Sequence, residues 1–237
     1  MADSSVYRSL IGSLLYLTAT RPDLMYSASL LSRFMQSPSK INFRAAKRVL
    51  KYVRGTTHLG IWFKSNAKED STSLIELKGY SDSDWGGSAD DMKSTSGYCF
   101  CFNSGVFSWN SKKQDIVAQS TAEAEYVSAA LAANQAIWLR KLLADLGQKQ
   151  LRPTNIHCDN MSAIAIAKNP IQHGKTKHIK IKYYSIKEAK KNGDVSLLHC
   201  KSEDQLANIF TKCLPKNKFE ELRSKLGVSN INLKEEC

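Results

Sequence analysis

The chain lacks any run of 18 or more apolar residues, so nothing in it reads as a membrane-spanning helix. Its first residues, Met1-Ala2-Asp3-Ser4-Ser5, lack the basic stretch and apolar core of a secretory signal, and an intracellular location, cytoplasmic or nuclear, is expected. None of the six cysteines forms a C-x-x-C pair, and three of them, Cys99, Cys101 and Cys158, fall in apolar strand-like runs. That argues against a disulfide framework and for reduced, buried thiols. His173 and His178 are five apart, but no paired cysteines follow, so a structural zinc site is not expected. There is no internal repeat and no low-complexity tract. Acids are scarce beside bases: 22 Asp and Glu stand against 34 Lys and Arg, a net charge of +12. Such a balance favours an anionic partner, most simply nucleic acid.

The basic excess is clustered. Residues 1–64 carry ten Lys or Arg against Asp3 and Asp23, and residues 171–192 carry seven Lys against Glu188. The length, 237 residues, suffices for one large domain or for a domain with an appendage. Residues 6–54 read as helices. Val6, Leu10, Leu14 and Leu17 recur at helical spacing, and Pro22 and Ser37-Pro38-Ser39 mark breaks. Ala45, Ala46, Val49, Leu50 and Val53 then form one stripe of a helix whose opposite stripe is Arg44, Lys47, Arg48, Lys51 and Arg54. That basic stripe fits a solvated outer face and a phosphate backbone equally well.

Residues 65–73 are polar and without periodicity, and read as a linker. Strands are expected over 74–82, 96–102 and 106–112, the last two joined by a hairpin at Asn103-Ser104-Gly105. A long helix follows over 121–146, with Ser120 or Thr121 as cap and Gly147 as stop. Then come a strand at 153–159, helices at 161–168 and 178–192, a strand at 195–200, a helix at 203–212 and a last helical piece at 216–226, before a loose tail. The expected class is α/β, a mixed sheet flanked by helices.

Four acids fall at corresponding ends of these elements: Asp82 at a strand exit, Glu123 or Glu125 in the first turns of the long helix, Asp159 at another strand exit, and Asp204 opening a helix. Each alone is an ordinary turn former or helix cap. Brought together, three or four carboxylates repel one another unless a multivalent cation sits among them. Oxygen-only ligation selects hard ions, Mg²⁺ or Mn²⁺. On a strand Asp82 and Asp84 share a face, whereas on a helix Glu123 and Glu125 lie about 200° apart and cannot both serve one site. Periodicity does not decide between the two glutamates.

Residues 74–214 resemble the ribonuclease H domain of Copia-type retrotransposon Pol polyproteins. The resemblance is carried by Tyr80-Ser81-Asp82-Ser83-Asp84-Trp85, Ser94-Thr95-Ser96-Gly97-Tyr98, Ser108-Trp109-Asn110-Ser111-Lys112-Lys113-Gln114, Ser120-Thr121-Ala122-Glu123-Ala124-Glu125-Tyr126, Cys158-Asp159-Asn160, Lys177-His178-Ile179, and Glu203-Asp204-Gln205-Leu206-Ala207 with Ile209-Phe210-Thr211-Lys212. Residues 7–63, with Tyr7-Arg8-Ser9-Leu10-Ile11-Gly12 and Arg21-Pro22-Asp23, resemble the segment that links the reverse transcriptase to that domain.

The resemblance implies an α/β, ribonuclease H-like five-stranded mixed sheet with a mainly helical N-terminal segment. It divides the chain into a thumb- or connection-like segment (1–64), the linker (65–73), the ribonuclease H-like domain (74–214) and a C-terminal helix with a loose tail (215–237). It implies cleavage of the RNA strand of an RNA–DNA hybrid, with two Mg²⁺ ions for which Mn²⁺ can substitute. Asp82, Glu125, Asp159 and Asp204 match the family's metal-holding acids. Asp84, Glu123 and His178 stand as their neighbours. Lys112, Lys113, Asn160, Lys175, Lys177 and Lys180 are candidate nucleic-acid contacts, and the polymerase domain of a parent polyprotein is the implied protein partner.

Two departures stand out. After His178-Ile179 the chain has Lys180 where the family often has an acid, and Tyr184 where it has a histidine, so packing is as good a reading for His178 as a role at the site. No Tyr-x-Asp-Asp motif occurs, so no DNA synthesis is expected of this chain, which reads as a piece of a longer polyprotein. The rival readings are a catalytically silent nucleic-acid-binding remnant, a host-recruited interaction module and, more weakly, an integrase-like nuclease.

Overall fold

The structure is a computed structural model that describes residues 3–63, 76–102, 104–168 and 180–230, with the backbone alone for 180–185. The expected linker, Asn103, residues 169–179 (with Lys175, Lys177 and His178) and the end of the tail lie outside the described residues.

The N-terminal segment folds as helices α1 (Ser4–Leu17), α2 (Met25–Ser32) and α3 (Lys40–Gly55), followed by the short strand β1 (Leu59–Ile61). Local chemistry sets the helix starts. Asp3 Oδ1 accepts from the Ser5 and Val6 amides at 2.9 and 3.2 Å, and Ser39 and Asn42 form a reciprocal capping box at the head of α3. Tyr7, Ile11, Leu14, Ala28, Leu31 and Ala46 close a small core between the three helices. Arg21, in the Arg21-Pro22-Asp23 break, makes a buried ion pair with Asp23 at 2.7 Å and donates to Thr56 O at 3.0 Å. Tyr52 OH donates to Asp23 at 2.6 Å, so this motif ties the break to the end of α3.

The main sheet is built from β2 (Leu77–Asp84), β3 (Thr95–Phe102), β4 (Gly105–Lys113), β5 (Thr154–Cys158) and β6 (Val195–His199). Its order is β4-β3-β2-β5-β6. The first three strands are antiparallel, and β2, β5 and β6 run parallel. This is the ribonuclease H-like mixed sheet that the sequence implies. Helix α4 (Thr121–Asp145) lies on one face with α5 (Met161–Lys168) and α6 (Lys180–Lys191). Its buried face carries six alanines (Ala124, Ala129, Ala130, Ala132, Ala133 and Ala136), which let the helix lie close against the strands. Among the described residues no helix is long and apolar enough to cross a membrane.

The other face carries the element that sequence periodicity misreads. In place of a helix over 203–212 there is a turn at 202–204 and a short 3-10 helix, Leu206–Phe210. The reason is tertiary. Gln205 is fully buried, donates from Nε2 to Ser81 O at 2.9 Å and His157 O at 3.3 Å, and caps Ala207 N with Oε1 at 3.1 Å. One side chain thus staples this segment to β2 and β5 and leaves no room for a regular α-helical turn.

Helix α7 (Lys216–Lys225) and strand β7 (Val228–Asn230) complete that face, and β7, which the sequence reading has as loose tail, pairs antiparallel with β1. Arg223 Nη1 donates to Tyr52 OH at 2.8 Å, joining α7 to α3.

Gly97 is the contact point between β3 and the 3-10 segment. A Cβ there would meet Thr211 Cγ2 at 2.7 Å and Phe210 Cβ at 2.8 Å, both in fully buried residues. Gly97→Ala is therefore expected to cost about 1–3 kcal/mol through overpacking. Equilibrium denaturation checks this; an unchanged midpoint would mean that the segment can shift outward freely.

Candidate active site

Asp82 is in β2, two residues from its end, and Asp159 directly follows β5. The two strands are parallel neighbours, so both acids reach the carboxyl edge of the sheet, where α/β folds place their sites. Glu125, in the second turn of α4, reaches the same edge from one face. Each of the three is held by a hydroxyl from a different element. Ser83 N and Oγ donate to Glu125 Oε1 at 2.9 and 3.1 Å, Ser202 Oγ donates to Asp159 Oδ2 at 2.8 Å, and Thr211 Oγ1 donates to Asp82 Oδ2. Ser128 Oγ fixes the backbone below, donating to Asp82 O at 2.6 Å and Gly97 O at 3.2 Å.

The electrostatics match a crowded carboxylate cluster. Burial, then the neighbouring Asp82 and Asp159 charges, push Glu125 up to about 8. Burial pushes Asp82 up to about 6, against the opposing pull of Lys212. Oxygens of Glu125 and Asp159 and the Cys158 sulfur all lie within 4.8 Å of one another. The Cys158 thiol is driven far above its ordinary range, chiefly by burial and then by Glu125, and it donates weakly to Glu125 Oε2 at 3.7 Å. The Glu125 and Asp159 oxygens are the hard donors of this group, the kind that Mg²⁺ and Mn²⁺ select.

Asn208 sits behind this cluster, 5% exposed. Its Nδ2 donates to Ser202 O at 3.0 Å, while its Oδ1 has no partner among the described residues. A buried carbonyl oxygen without a partner is the kind of group that a hard divalent cation satisfies.

The other acids fall elsewhere. Glu123 turns back to accept from Gln119 N at 2.8 Å, and its own amide donates to the cap Ser120 Oγ, so it serves the start of α4. Asp84 folds over Gly87, where a Cβ would lie 1.7 Å from its Oδ2. Asp204 is at the rim, 60% exposed, and pairs with Lys225 at 3.5 Å. It stands in the turn before the 3-10 helix rather than opening a helix, and so does not reach inward as the other three do.

Among the candidate nucleic-acid contacts, Lys112 is exposed on β4, whereas Lys113 is engaged with Asp91 at 2.7 Å. Asn160 Oδ1 accepts from Ala163 N at 3.0 Å, which makes it a cap for α5. Lys180 opens α6 in the backbone. Trp85 is 51% exposed, with Nε1 donating to Ala118 O at 3.0 Å. Thr211, Lys212, Ser202 and Asn208 carry no charge pattern or period that would single them out. Only the 3-10 segment brings them to the acids.

The chain aligns with the Pol polyprotein of transposon RE1 from Arabidopsis thaliana, called retrovirus-related, at 39% identity over 231 residues, 98% of this chain. It aligns with the corresponding polyprotein of transposon TNT 1-94 from Nicotiana tabacum at 39% over 223 residues, 94% of the chain. The chain matches one segment of the retrovirus-related Pol polyproteins of Copia-type transposons.

It spans only 15% of the RE1 polyprotein and 16% of the TNT 1-94 polyprotein. No family model matches it. Among solved structures, a foamy viral protease–reverse transcriptase in complex with double-stranded DNA superposes with a TM-score of 0.50 at 9% identity, over 83% of this chain and 32% of that one, a likeness of fold. The acids of this Copia-type Pol segment thus sit on the sheet edge and are supported by residues from both of its faces.

Proposed function

We propose that this segment is the ribonuclease H of a Copia-type Pol polyprotein, a metal-dependent endonuclease acting on the RNA strand of RNA–DNA hybrids, without polymerase activity of its own. The observation that carries the reading is the convergence of Asp82, Glu125 and Asp159 at one sheet edge, with two of them pushed up by burial and mutual charge. Groups perturbed in this way cluster where chemistry is done. The donor set and the orphan Asn208 Oδ1 fit Mg²⁺, or Mn²⁺ in its place, and two such ions would supply the Lewis acidity for phosphodiester hydrolysis.

The chain's residues then have distinct tasks. Ser83, Ser202 and Thr211 fix the carboxylates so that their oxygens need not reorganise. Asp204 serves at the rim as the fourth acid, outside the inner three and paired with Lys225. Asp84 and Glu123 support the strand turn and the helix start, and His178 remains their candidate companion.

The phosphates of the hybrid are met by exposed Lys112 and by Lys175, Lys177 and Lys180. They are also met by the face of α3, where Arg44, Lys47, Arg48, Lys51 and Arg54 are all exposed and no acid stands in the helix. Asn160 and backbone groups beside Asp82 recognise the ribose 2′-hydroxyl. In this reading 1–64 is the connection-like segment, 74–214 the nuclease and 215–237 its C-terminal appendage. The polymerase domain of the polyprotein is the partner, and the setting is intracellular.

The test is cleavage of a labelled RNA–DNA hybrid with Mg²⁺ beside double-stranded RNA and DNA. Cutting of the RNA strand of the hybrid alone is expected. A folded protein that binds hybrid in a salt-dependent way without cutting it would leave the silent-remnant reading. One that does not bind hybrid at all would leave the interaction-module reading.

A further inference from the structure

Asp82 already has a cation. Lys212 Nζ lies 3.4 Å from Asp82 Oδ2, the same oxygen that accepts from Thr211 Oγ1. The two partners differ in accessibility: the Asp82 side chain is 2% exposed and that of Lys212 is 38% exposed. The ammonium therefore covers the carboxylate from the solvent side. Lys212 also acts on Asp84, where, as at Asp82, burial raises the carboxyl and Lys212 is the strongest opposing influence. At Glu125 the leading opposing influence is instead the hydrogen bonding of Ser83.

The backbone beneath Lys212 is anchored. Thr211 is fully buried, and the Lys212 amide donates to Asn208 O at 3.4 Å. Only the side chain is free to leave, on a flexible four-carbon stem. A divalent ion seated among Asp82, Glu125 and Asp159 and a lysine ammonium on Asp82 Oδ2 cannot share that oxygen without strong repulsion.

We propose that Lys212 is a built-in competitor for the metal. It neutralises Asp82 until a divalent ion displaces it, and so sets the metal concentration at which the site fills. This rests on the metal-dependent reading above. The arrangement also accounts for a buried aspartate in a cluster of acids, because a buried carboxylate without a counter-charge would be strongly unfavourable.

The experiment is calorimetric titration of the full chain with Mg²⁺, and separately Mn²⁺, for wild type, Lys212→Met and Lys212→Arg, with melting temperatures recorded in EDTA and with metal. Lys212→Met is expected to bind Mg²⁺ about tenfold more tightly, because the ion no longer has to evict a charge. In EDTA it should melt below wild type, because Asp82 has lost its partner, and it should gain more from added metal. Lys212→Arg keeps a cation at Asp82 and is expected to bind the metal much as wild type does.

Unchanged or weaker Mg²⁺ binding by Lys212→Met would overturn the competition while leaving the nuclease reading intact. Wild type, Lys212→Met and Lys212→Arg all failing to bind either ion at millimolar concentration would sink the metal site itself, and the competition with it. Should Lys212→Met not fold, the inference stands on Lys212→Gln in the same titration, where tightening supports it and an unchanged affinity overturns it.

Discussion

Asp159→Asn is expected to lower hybrid cleavage by about 10²–10³-fold or more while leaving the fold intact, the scale seen when one preorganised charge-stabilising group is removed. Asp159 is the informative position because it is only partly buried and is held by Ser202 Oγ at 2.8 Å, a hydrogen bond that an asparagine oxygen can still accept. The change thus removes a charge and a metal-holding oxygen without opening a cavity. Asp82→Asn would be harder to read, since it also disturbs Thr211 and Lys212. Cleavage of a labelled hybrid beside a circular dichroism melt decides the matter. Activity within a few-fold of wild type in a folded Asp159→Asn protein would remove Asp159 from the site. Asp204→Asn, at the exposed rim and paired with Lys225, is expected to cost less.

In EDTA, stability is expected to fall as pH rises from about 5 to about 8. The sign follows from the folded-state values. Glu125 is raised to about 8 from 4.5, and Asp82 to about 6 from 3.8, in each case chiefly by burial. Between its unfolded and folded values each group binds more protons folded than unfolded, so folding is weakened as the solution becomes more basic. The Asp82 contribution is fully present below about 3.8 and lost as pH climbs through about 6, and that of Glu125 is fully present below about 4.5 and lost as pH climbs through about 8. One proton corresponds to about 1.4 kcal/mol per pH unit at most, and to less where burial is incomplete.

Melting temperatures across this range are the measurement. Glu125→Gln, which can still accept from Ser83 N, should flatten the profile, and Mg²⁺ should raise the melting temperature most at pH 8. A profile in EDTA that rises towards pH 8 would mean that Glu125 is charged and compensated in the fold.

Local sequence determined a good deal of this protein. Strands β2 to β4 announce themselves by alternation and by the turn between the last two, and α4 by its cap at Ser120 and its length. The amphipathic α3 is plain in its two stripes, and the charge excess in a simple count. Each of these is a short-range property: a period, a cap or a charge count. Asp82 and Asp159 stand out for the same reason, as acids at the exits of apolar strands.

What lay beyond local sequence depended on contacts between distant residues. The choice between Glu123 and Glu125 has no periodic signal, because alanines flank both. It takes the approach of Ser83 from β2 to hold Glu125 at the site and the local Gln119 amide to turn Glu123 back. The 203–212 stretch has helical spacing, yet Gln205 buried between β2 and β5, and Gly97 pressed against Phe210 and Thr211, impose a 3-10 turn. That turn leaves Asp204 outside and delivers Thr211, Lys212 and Asn208 to the acids. Strand β7 was invisible for a related reason: three residues gain strand form only from pairing with β1, about 170 positions earlier in the chain. Sequence determined which residues could make a carboxylate site, and the packing of one short segment across the sheet set the surroundings of Asp82 and Asp204, because burial and counter-charge depend on neighbours that no local pattern specifies.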